Sequence, residues 1–454
     1  MIIKLTIENF KSFRESTTIA FTAGASSSLP GNLLRHRNGE RIVKSMALYG
    51  YNASGKTTVL DALYALRSFV RFSSQDQSPT SPIPRFEPFA LEQSLAKKPT
   101  RIAVIVDIDG ARYTLDVSAT AQRVWSESLA VQRIMKKARR KVFIKTLMDR
   151  TWDPVTQKYS TKLEDDLGAA SIRVAAIDQT TSNRLMVGKL ATMNSELAKQ
   201  IIQWFEVDLS FYDMHRNRSS EENILTEIAQ LARANPSFAE IVKRFIQDAD
   251  IGIRDLKVID RKAYESKFSE RDQILEHSEV TRPDLSFRHV TKDQSEVFFR
   301  SGQESSGSLR FLALLGAILQ PRERRRLVCI DELSASLHPA LVSRLVQLIH
   351  SSHYNSLGNQ VLFTTHDPNL IDPQRCLRRD QVTICNKNRF GASTTTRLDE
   401  FQDSARSDAN LHKQYLDGRF GGLPDFGPTL EDVPVDDEPL EASAWAESDP
   451  IVAS

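Results

Sequence analysis

The chain has 454 residues, of which 40% are hydrophobic and 26% charged, and this composition is that of an ordinary folded protein with two or three structural units. A formal net charge of +2 excludes a globally basic protein, so any nucleic-acid contact would need a local basic patch. The three cysteines, Cys329, Cys376 and Cys385, have no C-x-x-C spacing and indicate neither a zinc site nor a disulfide framework. No apolar run approaches the roughly 18 residues of a membrane span, and no signal peptide is visible, so we expect a cytoplasmic protein with no membrane association.

The first distinctive stretch is a glycine-rich loop placed between a strand and a helix. Residues Met1–Phe10 have the pattern of a strand, and a second apolar run, Met46–Tyr49, leads into Gly50–Thr57 with the sequence G-Y-N-A-S-G-K-T. A helical pattern, Thr58–Leu66, follows. A G-x-x-x-x-G-K-[ST] loop in this context binds phosphate, because the glycines let N–H groups turn towards an anion and the helix N-terminus adds partial positive charge.

Individual residues of this loop are expected to have defined roles in nucleotide binding. Lys56 is expected to reach the β- and γ-phosphates of a nucleoside triphosphate, and the Thr57 hydroxyl is expected to help hold Mg²⁺. We therefore predict nucleotide contacts for Gly50, Tyr51, Asn52, Ala53, Ser54, Gly55, Lys56, Thr57 and Thr58.

The segment after the loop helix predicts β-structure. Ser73–Pro84 is typical of an exposed loop, whereas Arg101–Asp109 and Arg112–Ser118 flank the dipeptide Asp109-Gly110, which indicates a hairpin. A basic run follows, with the residues Arg133, Lys136, Lys137, Arg139, Arg140, Lys141, Lys145 and Arg150. It can be a patch for a nucleic-acid backbone or a solvated hairpin or helix face; the sparse aromatic residues favour the second interpretation.

The middle of the chain has helical periodicity. From about Ser160 to Asp255 apolar residues recur at three-to-four spacing, as in Leu185–Phe205, and no heptad repeat is sustained. This predicts a compact helical insertion rather than a coiled coil, with Trp204 in the core. The charged stretch Lys262–Thr281 is predicted to be a mobile loop.

Two later segments can complete a nucleotide site. Ser305 and Gly307 precede an apolar helix, where a hydroxyl, a glycine and a helix N-terminus could clamp a phosphate, although a serine here could also be a simple N-cap. The apolar strand Leu327–Ile330 ends in Asp331 and Glu332, which are expected to bind Mg²⁺ and to act as general base for the attacking water, respectively.

Taken together, these motifs resemble the ABC-type ATPases of the RecF, SMC and overcoming-lysogenization-defect (OLD) branch. The start IIKLTIENFKSF and the later LYGYNASGKTT carry the resemblance, as does Asn52 in the loop. It implies ATP and Mg²⁺ as ligands, a signature motif at Ser305 and Gly307 that acts on ATP held by another protomer, and a γ-phosphate switch at His366. Ser334–Pro339 resembles the D-loop, with Ser334 where aspartate is usual, and no Q-loop glutamine is identified.

The C-terminal part is similar to the stand-alone RloA/AbiLi-type phage-defence ATPases, through the stretches Leu377–Val382 and Tyr415–Pro424. This resemblance implies a sensor or regulator ATPase with a separate effector protein, because no Toprim nuclease fits after His366. It leaves open whether Arg378, Arg379 and Arg419 contact a partner, contact the nucleotide or form structural salt bridges. The residues after Pro424 are rich in acids and are predicted to be a disordered tail.

The expected fold is an α/β P-loop NTPase, an ABC-type ATPase head with a mixed or parallel sheet core, an antiparallel N-terminal subdomain and a helical insertion. We expect an N-terminal ATPase lobe (1–150), the insertion (151–285), a C-terminal ATPase lobe (286–424) and the tail (425–454). The expected activity is ATP hydrolysis by a homodimer or higher homo-oligomer that forms on ATP, with Lys56, Glu332 and His366 as catalytic residues. Alternatives are a RecF-like DNA-repair ATPase and a non-hydrolysing scaffold, against which the intact Asp331-Glu332 pair argues; nucleic acid is left open as a partner.

Overall fold

The computed structural model describes residues 1–424 except 37–38, 76–77, 135–141, 213–217, 250–251, 270–273, 322, 372–375 and 402–409. The strands in the described part of the chain are, in order, β1 (Ile2–Glu8), β2 (Thr17–Ala20), β3 (Leu33–Arg35), β4 (Arg41–Val43), β5 (Ser45–Tyr49), β6 (Thr100–Ile108), β7 (Ala111–Ala119), β8 (Val124–Ile134), β9 (Val142–Asp153), β10 (Lys158–Leu163), β11 (Leu209–Tyr212), β12 (Asp255–Ser269), β13 (Ile274–Val290), β14 (Glu296–Arg300), β15 (Leu327–Ile330), β16 (Gln360–Thr364), β17 (Val382–Lys387) and β18 (Ser393–Arg397). The α-helices are α1 (Lys56–Ser73), α2 (Gln93–Ala96), α3 (Ala170–Gln179), α4 (Met186–Thr192), α5 (Glu196–Gln203), α6 (Arg218–Ala234), α7 (Pro236–Asp248), α8 (Ser306–Leu319), α9 (Pro339–His350) and α10 (Leu411–Leu416).

The central sheet positions the candidate site. Its strand order is β11-β15-β16-β5-β17-β18, and all neighbouring pairs are parallel except β17 with β18. Every residue of β5, β15 and β16 is buried, which explains why these strands have uninterrupted apolar runs. Because the carboxyl ends of parallel strands meet at one edge, the loops that follow β5, β15 and β16 lie side by side.

A second, antiparallel sheet contains the N-terminal strand, in the order β10-β9-β8-β7-β6-β1-β2. The hairpin predicted at Asp109-Gly110 is confirmed: β6 and β7 pair up to Ile108 and Ala111, and the two loop residues have φ angles of 52° and 89°. Positive φ at both positions is what a tight hairpin turn requires. The expected α/β class, with a largely parallel core and an antiparallel N-terminal sheet, is thus confirmed.

The predicted helical insertion contains helices α3 to α7, but also strands that belong to the two large sheets. β10 pairs with β9, and β11 pairs with β15 at the edge of the central sheet. Trp204, in a short π-helical turn after α5, is 1% exposed, as predicted for a core residue. Residues Met1–Gly422 pack as one compact unit, and the lobe boundaries stay a prediction. Among the described helices, none is long and apolar enough to cross a membrane.

The prediction of a mobile loop at Lys262–Thr281 is wrong. β12 and β13 form a long antiparallel hairpin that pairs from Asp255 with Arg288 to Ser269 with Ile274, and β14 adds a third strand at its base. The stretch shows no apolar alternation because the buried anchors Leu256, Leu285 and Phe287 lie at the base, outside the charged segment.

Two members of the basic run have structural contacts. Arg150 is 1% exposed and donates hydrogen bonds to the carbonyls of Arg184 (2.9 Å) and Thr181 (3.0 Å). The Lys145 ammonium lies 2.5 Å from an Asp166 oxygen. At these two positions the contacts are those of a structural role, while residues 135–141 of the run and the acidic tail 425–454 lie outside the described residues.

Candidate functional site

In the loop between β5 and α1, the backbone conformation and the surrounding atoms require glycine at two positions. Gly50 has φ +142°, and a Cβ there would lie 2.4 Å from the Cys385 carbonyl oxygen. Gly55 has φ +109°, and a Cβ there would lie 2.5 Å from the Ser393 hydroxyl. Both glycines are therefore required by conformation and by space. The loop is shaped by its neighbours β17 and β18 as well as by its own sequence.

The loop offers donors to an anion. α1 begins directly after Gly55, without a side-chain cap, and no acidic residue of its own first turn offsets its N-terminal dipole. The Ser54 hydroxyl is buried and has no hydrogen-bond partner among the residues that the structure describes. The Lys56 ammonium donates to the carbonyls of Gly50 (2.8 Å) and Tyr51 (2.9 Å), and burial lowers its pKa, opposed by the nearby Cys385, Asp331 and Glu332. This arrangement fits the phosphates of a nucleotide.

The carboxylate after β15 meets the first turn of α1. The Thr57 hydroxyl donates to both Asp331 oxygens, at 3.2 and 3.1 Å. A hydroxyl beside a carboxylate, next to a phosphate-binding loop, is the oxygen donor set that Mg²⁺ prefers, since this ion usually takes one or two protein oxygens together with substrate phosphates. Among the described residues, no group of three or more His, Cys, Asp or Glu side chains could hold a metal ion by itself. Thr57 and Asp331 thus fit Mg²⁺ bound together with a nucleotide.

Thr364, at the end of β16, connects the two acidic residues. Its hydroxyl donates to Asp331 at 2.6 Å and accepts a hydrogen bond from the Glu332 backbone N–H at 2.7 Å. Arg310 of α8 donates to the backbone carbonyls of both Asp331 and Glu332. Glu332 has φ +51°, an uncommon conformation for a glutamate. Thr364 and Arg310 together hold this turn, and neither was identified from the sequence; the only signal was a threonine pair before His366.

His366 follows β16 and belongs to the same cluster. Partial desolvation is the largest cause that lowers the pKa of its imidazole, the Lys56 ammonium lowers it further, and Glu332 and Asp331 oppose both. The lowered pKa favours the neutral imidazole, in which one ring nitrogen can donate a hydrogen bond. The structure thus brings together Lys56, Thr57, Asp331, Glu332 and His366, and the roles assigned to them from the sequence stay a prediction.

Ser305 and Gly307 lie at the start of α8, the helix whose Arg310 contacts the acidic turn. The Ser305 hydroxyl caps the helix, accepting from the Ser308 N–H at 3.1 Å, and Ser305 and Ser306 are exposed. A Cβ at Gly307 would lie 2.9 Å from the Ser336 carbonyl oxygen, so this helix start packs on its own D-loop segment. In the described part of the chain, no hydrogen bond joins Ser305 to the loop 50–57.

The C-terminal motif packs behind the loop. The N–H of Gly422 donates to Asn386 Oδ1 at 2.6 Å, and a Cβ on Gly422 would lie 3.5 Å from the Gly50 Cα. The ring of Tyr415 contacts that of Tyr49 edge to face, at 5.6 Å between centroids. Arg419 is exposed. The motif therefore supports the phosphate loop from its outer side.

The first of the three C-terminal arginines has a structural role. Arg378 is 0% exposed, pairs with Asp380 at 2.7 Å and donates to the carbonyls of Ser26 and Ser28. This settles Arg378 in favour of the salt-bridge alternative. Arg379, whose pKa is lowered by desolvation, lies on the same turn.

Comparison with known proteins gives one family. The family model described as "AAA domain, putative AbiEii toxin, Type IV TA system" matches residues 45–173 and 203–372, which is more than half of the chain. The matched segments include the phosphate loop, the start of α8, the acidic turn and His366. No curated protein matches the chain.

Proposed function

Because the chain belongs to this family of AAA-like ATPases of the abortive-infection and SMC-related type, we propose that it binds and hydrolyses ATP with Mg²⁺. The observation that carries the proposal is the contact of Thr57 with Asp331 at the head of α1, beside a glycine loop shaped for an anion. Thr57 and Asp331 would hold Mg²⁺, which when bound supplies positive charge to the phosphate oxygens.

Different residues of the chain have different roles in hydrolysis. Lys56 and the N–H groups of Gly50–Thr58 bind and orient the phosphates, which is the main requirement of phosphoryl transfer. Glu332 accepts the proton of the attacking water, and Thr364 with Arg310 fixes the turn from which Glu332 extends. The neutral imidazole of His366 donates a hydrogen bond to the γ-phosphate, and this hydrogen bond is broken when the γ-phosphate leaves.

We propose further that the complete site needs two protomers. In the described part of the chain no hydrogen bond joins Ser305 to the loop of its own chain, and the start of α8 is exposed at Ser305 and Ser306, where it could clamp a phosphate held by a second copy. Two copies related by a two-fold axis would then enclose two ATP molecules, each between the loop of one protomer and α8 of the other. Hydrolysis would release the pair.

The biological role that we propose is that of a sensor or regulator ATPase in a bacterial antiphage, abortive-infection-like system. Its support is the family, whose description names abortive infection and a toxin–antitoxin system. The system's effector would be a separate protein, and this chain would report the trigger through its ATP-dependent pairing.

Complementation between two inactive variants tests the shared site. Lys56→Ala removes the phosphate lysine, and Ser305→Arg blocks the clamp; each variant alone should lose turnover. In a mixed pair, one site combines both defects and the other is intact, so random mixing should restore about a quarter of wild-type turnover. Phosphate release by the 1:1 mixture is the measurement. A mixture no more active than its components would contradict the shared site, and a doubly substituted chain mixed with Lys56→Ala is the negative control.

A further inference from the structure

The sheet β12-β13-β14 leads directly into the start of α8. β14 ends at Arg300, and a single 3-10 turn, Ser301–Gln303, separates it from Glu304 and Ser305. The base of the sheet is anchored by Leu285 and Phe287, both 0% exposed. The segment Ser301–Ser305, called here the signature turn, thus connects a fixed sheet to the proposed phosphate clamp.

One long-range contact dominates the signature turn. His289 Nε2 of β13 lies 2.6 Å from Glu304 Oε1, and the Glu304 side chain is only 5% exposed. The imidazole is held in turn by the Phe299 ring of β14, at 4.7 Å between centroids. Glu304 is therefore turned inward onto β13, whereas the next residue, Ser305, is exposed.

The other restraints on the signature turn are local or weak. Gln303 Oε1 accepts from the Arg300 N–H at 3.0 Å, within the turn itself. Ser301 Oγ lies 3.5 Å from Asp284 Oδ1, at the limit of a hydrogen bond. Around Gly302 the space is open, since a Cβ there would meet nothing within 4 Å. Ser305 itself is held on α8, because its hydroxyl accepts from the Ser308 N–H at 3.1 Å. Among these contacts of the described residues, the His289–Glu304 pair is the close long-range one that ties this helix start to β13.

We infer that His289 is a positioning residue for ATP hydrolysis: by holding Glu304 it fixes the start of α8 relative to β13, and with it the Ser305 that would contact the nucleotide of the partner protomer. The inference rests on the proposed function and deepens it, because it makes the hairpin β12–β13 part of the trans half of the site. A displacement of β13 changes turnover in the other protomer without any contact to the nucleotide.

The test uses the full chain with His289→Ala and with His289→Gln, whose amide can still donate to Glu304. His289→Ala should lower kcat by about tenfold, because the hydrogen bond to the buried Glu304 side chain is lost, while ATP affinity of dilute protomers stays unchanged. His289→Gln should recover most of the loss. His353→Ala, at an exposed histidine, is the matched control and should behave as wild type.

Mixing separates positioning from simple destabilisation. In a pair of His289→Ala with Lys56→Ala, the loop of the first protomer meets the unaltered signature turn of the second. That site should turn over at the wild-type rate, so the mixture should exceed both components. A folding defect in His289→Ala would not be rescued in this way.

The outcomes distinguish the inference from the function on which it rests. If Lys56→Ala and Ser305→Arg complement each other but His289→Ala has wild-type kcat, or is not rescued by Lys56→Ala, the inference alone is overturned. If Lys56→Ala and Ser305→Arg fail to complement, both are overturned. Rescue by Lys56→Ala together with recovery in His289→Gln supports the positioning role.

Discussion

At the scale of single residues, Thr364 links the Asp331 carboxylate to the backbone of Glu332, the two residues to which we assign Mg²⁺ binding and the general base. Its one hydroxyl donates to Asp331 and accepts from the Glu332 N–H, and the side chain is 0% exposed. Water cannot replace either hydrogen bond at a buried position, so both depend on this hydroxyl.

Replacing Thr364 by valine keeps the shape and removes the hydroxyl. We expect Thr364→Val to lower kcat by about tenfold and to raise the Mg²⁺ concentration needed for half-maximal turnover, because each orphaned buried group costs roughly 1–3 kcal/mol. Thr364→Ser retains the hydroxyl and is the matched control. The measurement is ATP turnover as a function of Mg²⁺ concentration for the two variants and the wild type. An unchanged Mg²⁺ dependence in Thr364→Val would contradict the proposal that Thr364 holds Asp331 in place.

Gly50 gives a second residue-scale prediction. An alanine there would have a strained φ and a Cβ only 2.5 Å from the Ser54 hydroxyl. We expect Gly50→Ala to weaken ATP binding by more than about tenfold through distortion of the loop. Gly31→Ala, where the nearest atom would lie at an ordinary 3.8 Å, is the control. Calorimetric titration with ATP tests this, and equal affinities for the two variants would refute it.

At the scale of elements, the end of α9 is joined to β5 by a buried histidine. His350 Nε2 lies 2.9 Å from the Ser45 hydroxyl and 3.1 Å from the amide nitrogen of Gln381, which belongs to the Leu377–Val382 motif. Burial, and then the nearby Lys44 ammonium, lowers the pKa of His350 to about 3. The strand that carries the phosphate loop is thus held by a histidine that must stay neutral.

The lowered pKa of His350 makes the free energy of unfolding decrease as the pH falls. The unfolded chain, with a histidine pKa near 6.5, binds more protons than the folded chain, so the stabilisation is present above pH 6.5 and is lost as pH falls towards 3. Between pH 7.5 and 5.5, wild type should lose about 1.4 kcal/mol more unfolding free energy than His350→Gln. Urea denaturation at both pH values measures the difference, with His353→Gln as an exposed control. An equal loss in wild type and His350→Gln would exclude His350 as the source.

The elements also show what a sequence can specify. Local signals sufficed for the phosphate loop, for the Asp109-Gly110 hairpin and for the buried strands β5 and β15, because glycine conformation and burial act over a few residues. Elements that depend on non-local pairing could not be predicted in this way. β11 is four residues long and lies within a helical region, and only its pairing with β15 makes it a strand. Thr364 and His289 were missed for the same reason, since their partners Asp331 and Glu304 are recognised only when the chain is folded.

At the scale of the whole molecule, we propose that ATP joins two protomers. Glu332→Gln should trap that state, because the amide cannot accept the proton of the attacking water while the nucleotide contacts remain. The solution mass of wild type and of Glu332→Gln, each with and without Mg-ATP and with phosphate release followed in parallel, is the most direct measurement. We expect Glu332→Gln to show no turnover and to double in mass only with Mg-ATP. If the mass of both proteins stays the same on addition of Mg-ATP while wild type still releases phosphate, the two-protomer site is contradicted.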